Sequence, residues 1–193
     1  NRGIGLEFAR QLAARGDDVV AACRTTSPEL DALGVQVVDG IDVGVDDAAA
    51  RLADALEGPP LDVLINNAGI LVSDSLDDID WDALRRQFEV NSLGPLRITR
   101  ALRANLRDGA KVAIVTSLMG SMADNGSGGY YGDRMSKAAV NMAGVSLARD
   151  LADREIPVVL LHPGMVATEM TGGRGIEVDV SVRGLVARID ALT

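Results

Sequence analysis

At 193 residues, 47% of them hydrophobic and only 3% aromatic, the chain suits one domain with a core of Ala, Val, Leu and Ile. Its 28 acidic against 19 basic residues give a net charge of -9, which argues against a sequence-independent grip on nucleic acid or an anionic membrane. The single cysteine, Cys23, excludes an internal disulfide and suits a reducing, cytoplasmic setting; no apolar run approaches a membrane span, and the N-terminus does not read as a signal peptide.

Strand-like and helical stretches alternate along the chain, the pattern of a parallel α/β sheet. Asn1-Arg2-Gly3-Ile4-Gly5 opens a helix expected at about Ile4–Ala14. Val19–Cys23 reads as a buried strand and Val35–Val38 as a second. A helix is expected at about Asp46–Leu56 with Asp46 as its N-cap. The breaker Gly58-Pro59-Pro60 precedes a third strand, Leu61–Ile65. A long helix, about Trp81–Arg107, is broken near Gly94-Pro95 and stopped by Gly109. Lys111–Val115 is a fourth strand, Asp133–Asp153 a helix and Val158–Leu161 a fifth strand. After Gly172-Gly173-Arg174-Gly175, the most flexible-looking segment, a last helix is expected at about Val182–Leu192. With no internal repeat and no linker, residues 1–193 read as a single domain.

Residues able to carry chemistry follow the strands, where ligands of open α/β sheets sit. The glycines of Arg2-Gly3-Ile4-Gly5 either cap a helix or let a pyrophosphate approach its free N–H groups. Asn66-Asn67-Ala68-Gly69 is either a polar turn or a ligand-facing box. Asn91, in Asn91-Ser92-Leu93-Gly94-Pro95, is placed to satisfy backbone groups that Pro95 frees. Ser117 ends a strand, within reach of a substrate carbonyl. His162-Pro163-Gly164 begins a turn after another strand. One histidine and one cysteine do not make a zinc site, so no metal is expected. Lys137 lies four residues after Asp133, on the same face of a helix.

In this order and spacing the segments resemble the short-chain dehydrogenase/reductase family. Asn-Arg-Gly-Ile-Gly-Leu, Gly-Gly-Tyr-Tyr-Gly, Arg-Met-Ser-Lys-Ala-Ala and Leu-Leu-His-Pro-Gly are similar to its C-factor-like and sniffer-like carbonyl reductases. The resemblance implies a Rossmann-type doubly wound parallel sheet with helices on both faces. It also implies hydride transfer between NADP(H) and a carbonyl or alcohol substrate. The glycine turn would begin before Asn1, preceded by a first, central strand, and a last strand would follow Thr193; the sequence therefore reads as a fragment of a longer chain.

Residue roles follow from the same resemblance. Arg2, Gly3, Ile4 and Gly5 meet the cofactor's phosphates, Asn67, Ala68 and Gly69 border the adenine ribose, and Asp42 and Val43 lie beside the adenine ring. Pro163, Gly164, Val166 and Thr168 bind the nicotinamide. Lys137 holds the nicotinamide ribose, Asn91 holds a water that links the lysine to solvent, and Ser117 orients the substrate oxygen. At the end of the Val19–Cys23 strand an acid would select a ribose 2′-hydroxyl. Arg24 stands there instead, and with Arg2 approaching from the other side it favours the 2′-phosphate of NADP(H). A homodimer or homotetramer is implied, built on helices around Ser92–Arg107 and Asp133–Asp153, the second rich in Ala138, Ala139, Ala143, Gly144 and Ala148.

One position departs from the family. Where a tyrosine precedes the lysine by four residues, this chain carries Asp133. A free aspartate has a pKa of about 3.9, and a neighbouring ammonium should lower it and pair with it. Such an anion has no proton to give and opposes an alkoxide. Tyr131 should lie about 120° off the lysine's helical face, and Tyr130 on that face but almost two turns away. The chain is therefore expected to bind NADPH and reduce carbonyls poorly. A non-enzymatic NADP-binding or signalling protein on the same scaffold is the other reading.

Overall fold

The structure, a computed structural model, describes all residues except Glu57 and Pro59. Helix α1 (Gly3–Arg15) ends at Gly16, whose left-handed conformation returns its N–H to Leu12 and Ala13. Strand β1 (Val20–Ala22) pairs in parallel with β2 (Gln36–Val38) across the single-turn α2 (Pro28–Asp31). Helix α3 (Ala48–Ala55) leads to β3 (Leu61–Asn66), then α4 (Trp81–Phe88) and α5 (Gly94–Ala101) lead to β4 (Leu106–Val115). Helix α6 (Tyr131–Asp150) crosses over to β5 (Val158–Leu161), and α7 (Val178–Asp190) follows. The sheet hydrogen bonds are parallel, in two sets: β1–β2 and β3–β4–β5.

The two-residue period of a strand explains why β4 carries helices on both faces. Val112 and Ile114 pack with Val140, Leu147 and Leu151 on the α6 side. Ala113 and Val115, one residue out of phase, pack with Phe8 of α1 and Val182, Leu185 and Ile189 of α7. Each fully buried Val, Leu or Ile here is worth about 1.5–3 kcal/mol. This is the expected doubly wound arrangement. The gap between the two sets of strands, lined by Ala21 of β1 and Ile65 of β3, runs from Asp18 and Asp62 at the amino ends of the strands to Asn67 and Ser117 at their carboxyl ends, where it forms a cleft.

Several local expectations fail for identifiable reasons. Asp46 does not cap α3; it pairs with Arg97 at 2.8 Å, and Asp47 precedes the helix without a side-chain cap bond. The long helix stops at Ala101 and a 3₁₀ turn to Ala104, so Gly109 ends no helix and sits inside β4, which starts five residues earlier than expected. Its break is a π-helical turn over Glu89–Leu93, just ahead of Gly94-Pro95. Helix α2 escapes the periodicity because it is four residues long, although Ser27 caps it and Pro28 opens it. Helix α6 begins at Tyr131 and α7 at Val178, both earlier than expected. In the Gly172–Gly175 segment Gly173 N–H donates to Thr168 O at 2.8 Å, and just beyond it Ile176 N–H donates to Met165 O at 2.8 Å. The Gly58-Pro59-Pro60 breaker falls partly outside the described residues.

Candidate active site

The carboxyl ends of β3, β4 and β5 bring Asn67, Ser117 and His162 to the cleft, where Asp133 and Lys137 of α6 join them. Ser117 follows β4 in an extended conformation and starts a 3₁₀ turn, its hydroxyl accepting from Met119 N–H at 3.1 Å. The loop is fixed on two sides. Thr116 donates to Asn141 on α6 at 2.7 Å, and Leu118 N–H donates to His162 Nδ1 at 3.2 Å. Gly120 lets the loop lie against α6: a β-carbon there would stand 2.7 Å from the Lys137 carbonyl carbon.

Lys137 is buried, and its ammonium donates to the Val115 carbonyl at 3.2 Å. A β-carbon at Gly69 would lie 3.5 Å from Lys137 Nζ and 3.4 Å from Asn91 Oδ1, so the turn after β3, the π turn and α6 converge. Asn91 does not serve the groups near Pro95. Its amide oxygen accepts from Ile70 N–H at 2.9 Å, and its amide nitrogen donates to Ile70 O and Ser136 Oγ, each at 3.0 Å. The π turn is what aims a completely buried asparagine at the turn after β3.

Asp133 is 5% exposed and lines the cleft. Two expectations about it are corrected. Among the described residues its carboxylate makes no hydrogen bond, and Lys137 is not within ion-pair distance, so the lysine is not diverted into a pair. Its pKa is raised rather than lowered: burial is the largest influence, Asp74 adds to it, and Lys137 and Arg134 only partly oppose it. Burial likewise lowers the pKa of Lys137, against the pull of Asp133. For a raised carboxyl the associated stability is present below the unfolded value, about 3.9, and is lost as pH rises through the folded one. Because the net shift already includes Lys137, Asp133→Asn is expected to raise the melting temperature near neutral pH. That gain should disappear on acidification, as melting curves across pH would register.

The start of α6 is built by residues the sequence did not single out. Asp74 accepts three consecutive N–H groups: Tyr130 on its backbone oxygen at 3.0 Å, and Tyr131 at 2.5 Å and Gly132 at 3.0 Å on its carboxylate. This holds Tyr130 at φ 52, a left-handed conformation that costs a non-glycine residue on the order of 1 kcal/mol or more. Tyr130 therefore lies outside the helix, where helical-face reasoning does not apply, and lines the cleft. Gln87, completely buried, accepts from Val72 N–H at 3.0 Å, while its Nε2 lacks a partner among the described residues and fills the space a Gly132 side chain would need. Asp74→Ala removes the cap, and a loss of about 0.5–2 kcal/mol in unfolding free energy is expected from denaturant titration.

At the other end of the cleft, Gly3 adopts φ 52 and faces Thr168 Cγ2, 3.4 Å from where its β-carbon would be. A β-carbon at Gly5 would stand 2.7 Å from Asn67 Nδ2. The Gly turn, the turn after β3 and the loop after β5 thus meet. Pro163 and Val166 are fixed by Ser181 Oγ bonding Pro163 O at 2.7 Å and by the Val166–Ile176 bridge; Gly164 and Ile4 also line the cleft. Arg2 pairs with Glu169 at 2.6 Å, an exposed contact, instead of turning toward Arg24. Arg24 is exposed beyond β1; its carbonyl accepts from Gly40 N–H at 3.2 Å, and its guanidinium has no hydrogen-bond or ion-pair partner among the described residues. Asp42 is engaged by Arg86 at 2.6 and 2.8 Å and by Gly44 N–H at 3.0 Å, while Val43 packs on Gly94. Ala68 is exposed beside Gly69 on the cleft.

The family model described as short chain dehydrogenase matches residues 1–178. A Rhodococcus protein named 1-hydroxy-2-glutathionyl-2-methyl-3-butene dehydrogenase is 45% identical over 100% of this chain and 88% of its own length. C-signal of Myxococcus xanthus is 50% identical over 69% of this chain and 82% of its own. The NADPH-bound carbonyl reductase from chicken fatty liver superposes with a TM-score of 0.88 at 28% identity, covering 100% of this chain and 88% of that one.

Proposed function

The chain belongs to the short-chain dehydrogenase family, and we propose that it is an NADP(H)-dependent oxidoreductase whose carbonyl chemistry is impaired by Asp133. The observation that carries the reading is the convergence of Ser117, Lys137, Asn91 and Gly69 at one end of a cleft and of Gly3, Gly5 and Arg24 at the other. The cofactor suits this lining. Gly3 and Gly5 leave room for a pyrophosphate at the start of α1, where free N–H groups favour an anion. Arg24 offers a guanidinium to a 2′-phosphate. Asp42 and Val43 flank the adenine, Asn67, Ala68 and Gly69 the ribose, and Pro163, Gly164, Val166 and Thr168 the nicotinamide. When bound, NADPH supplies a hydride to the substrate carbon.

The chain's own groups then decide the fate of the oxygen. Ser117 donates to a carbonyl oxygen, and Lys137 holds the ribose hydroxyls. Asp133, when ionised, gives that oxygen no proton and repels its developing charge. Enhancement of nicotinamide fluorescence on adding NADPH tests the cofactor reading; absence of binding would contradict it. Binding without turnover of any activated ketone or aldehyde, even after Asp133→Tyr, would favour the non-enzymatic alternative.

The assembly belongs to the same proposal. On α6, Met135, Met142 and Val145 are exposed, as are Leu93 and Leu96 at the start of α5. Gly144, by contrast, is buried against Leu160 of β5 and is not available to a partner. A homodimer or homotetramer through the exposed residues is expected, and light scattering that finds monomer alone would contradict it. Cys23, buried and without a partner cysteine, fits a reducing cytoplasmic setting.

A further inference from the structure

We propose that the cleft reduces cationic carbon–nitrogen double bonds, N-alkylated iminium ions, in preference to neutral carbonyls. The inference rests on the NADPH reading above and names the substrate class of that site. Asp133 is a buried residue on the cleft whose carboxylate has no hydrogen-bond or ion-pair partner among the described residues. Each charged group around it has a partner other than Asp133. Lys137 donates to Val115 O; Arg134 is turned back onto Ser127, Gly128 and Gly129; and Asp74 is consumed by the N–H groups of Tyr131 and Gly132. Ionising a carboxylate on a largely buried residue is costly, and a permanent cation laid beside it recovers what burial takes away. The raised pKa of Asp133 has the same meaning: a bound cation holds it ionised, and a neutral ketone does not. Tyr130, Met119 and Met165 line the same cleft, and aromatic rings and thioethers are side chains that suit a lipophilic cation.

The bond changes explain why a missing proton donor does not matter for this substrate. A ketone that gains a hydride leaves an alkoxide, which must take a proton that Asp133 as a carboxylate lacks. An iminium carbon that gains the hydride of NADPH sends its π pair to nitrogen. The positive charge is cancelled, a neutral tertiary amine and NADP⁺ result, and no proton is consumed. A carboxylate opposes the first change and stabilises the cation that enters the second. Lys137 works against the cation, but it is held at Val115 O and burial weakens its hold on its proton.

The test compares N-methyl-dihydroisoquinolinium with tetralone, its neutral ketone counterpart, by NADPH oxidation. In parallel, calorimetry follows binding of N,N-dimethyl-tetrahydroisoquinolinium, a cation that cannot accept a hydride. The protein is expected to turn over the iminium with at least about tenfold higher kcat/KM than tetralone, given the strength of close charge pairs at low effective dielectric. Asp133→Asn should weaken binding of the quaternary ammonium by a similar factor, Asp133→Glu should retain it, and Asp133→Tyr should reverse the preference between the two substrates. Equal rates for iminium and ketone, or quaternary ammonium binding untouched in Asp133→Asn, overturn the proposal while leaving the NADPH reading standing. Loss of NADPH binding overturns that reading, and iminium reduction with it.

Discussion

Asp133→Tyr is expected to raise carbonyl reduction by about 10²–10⁴, the usual worth of a positioned general acid. On the proposed reading, Ser117, Lys137 and Asn91 already stand where the substitution needs them. The Ser117 loop is tied to α6 through Thr116–Asn141, and Asn91 spans Ile70 and Ser136, one residue before Lys137. A tyrosine at this position replaces an anion with a donor whose proton a neighbouring ammonium makes easier to release. The effect should depend on pH. Because burial raises the Asp133 pKa, acidification converts the unaltered side chain to a neutral acid, so its residual carbonyl rate should climb as pH falls. The ratio between the two forms should therefore be largest at neutral and alkaline pH and shrink in acid. Single-turnover oxidation of NADPH with activated ketones and aldehydes measures both. Similar rates for the two forms at neutral pH would mean that another group supplies the proton.

The position of Asn67, Ser117 and His162 beyond β3, β4 and β5 was legible because strand ends are the part of a parallel sheet that sequence pattern locates best. Val112 to Val115 is a continuous apolar run because both faces of β4 are covered, and the residue that leaves it, Ser117, must emerge at the carboxyl end. The state of Asp133 was not legible. Helical spacing puts Asp133 and Lys137 on one face, but it carries no information on burial or on the Val115 carbonyl that draws the ammonium away. Nor could spacing expose Asp74, which reaches the start of α6 from 57 residues away in sequence, or Arg86, 44 residues from Asp42. Such clamps are tertiary, and their only trace in the sequence is a polar residue in an unremarked loop or helix. Tyr130 illustrates the cost: treated as a helical residue it lies two turns from the lysine, whereas Asp74 holds it outside the helix in a conformation that propensity disfavours.

Arg24→Ala is expected to weaken NADPH binding by about tenfold to a hundredfold and to leave NADH binding nearly unchanged. A hydrogen bond to a charged group is worth about 1.5–3 kcal/mol, and 1.4 kcal/mol is a factor of ten in affinity. These 193 residues carry a net charge of -9, so their general field does not attract a phosphate and the selection must be local. Arg24 is the better placed of the two candidate cations, being exposed on the cleft without a partner among the described residues. Arg2 must first give up Glu169, although that pair is 65% and 78% exposed and is worth no more than about 1 kcal/mol. Arg2→Ala should therefore cost less than Arg24→Ala, and the loss in both cases should diminish at high salt, where charge–charge attraction is screened. Fluorescence titration of NADPH and NADH against the unaltered protein and both variants provides the numbers. If the unaltered protein binds the two cofactors equally, or if Arg24→Ala weakens both to the same degree, the 2′-phosphate is not recognised at this end of the cleft.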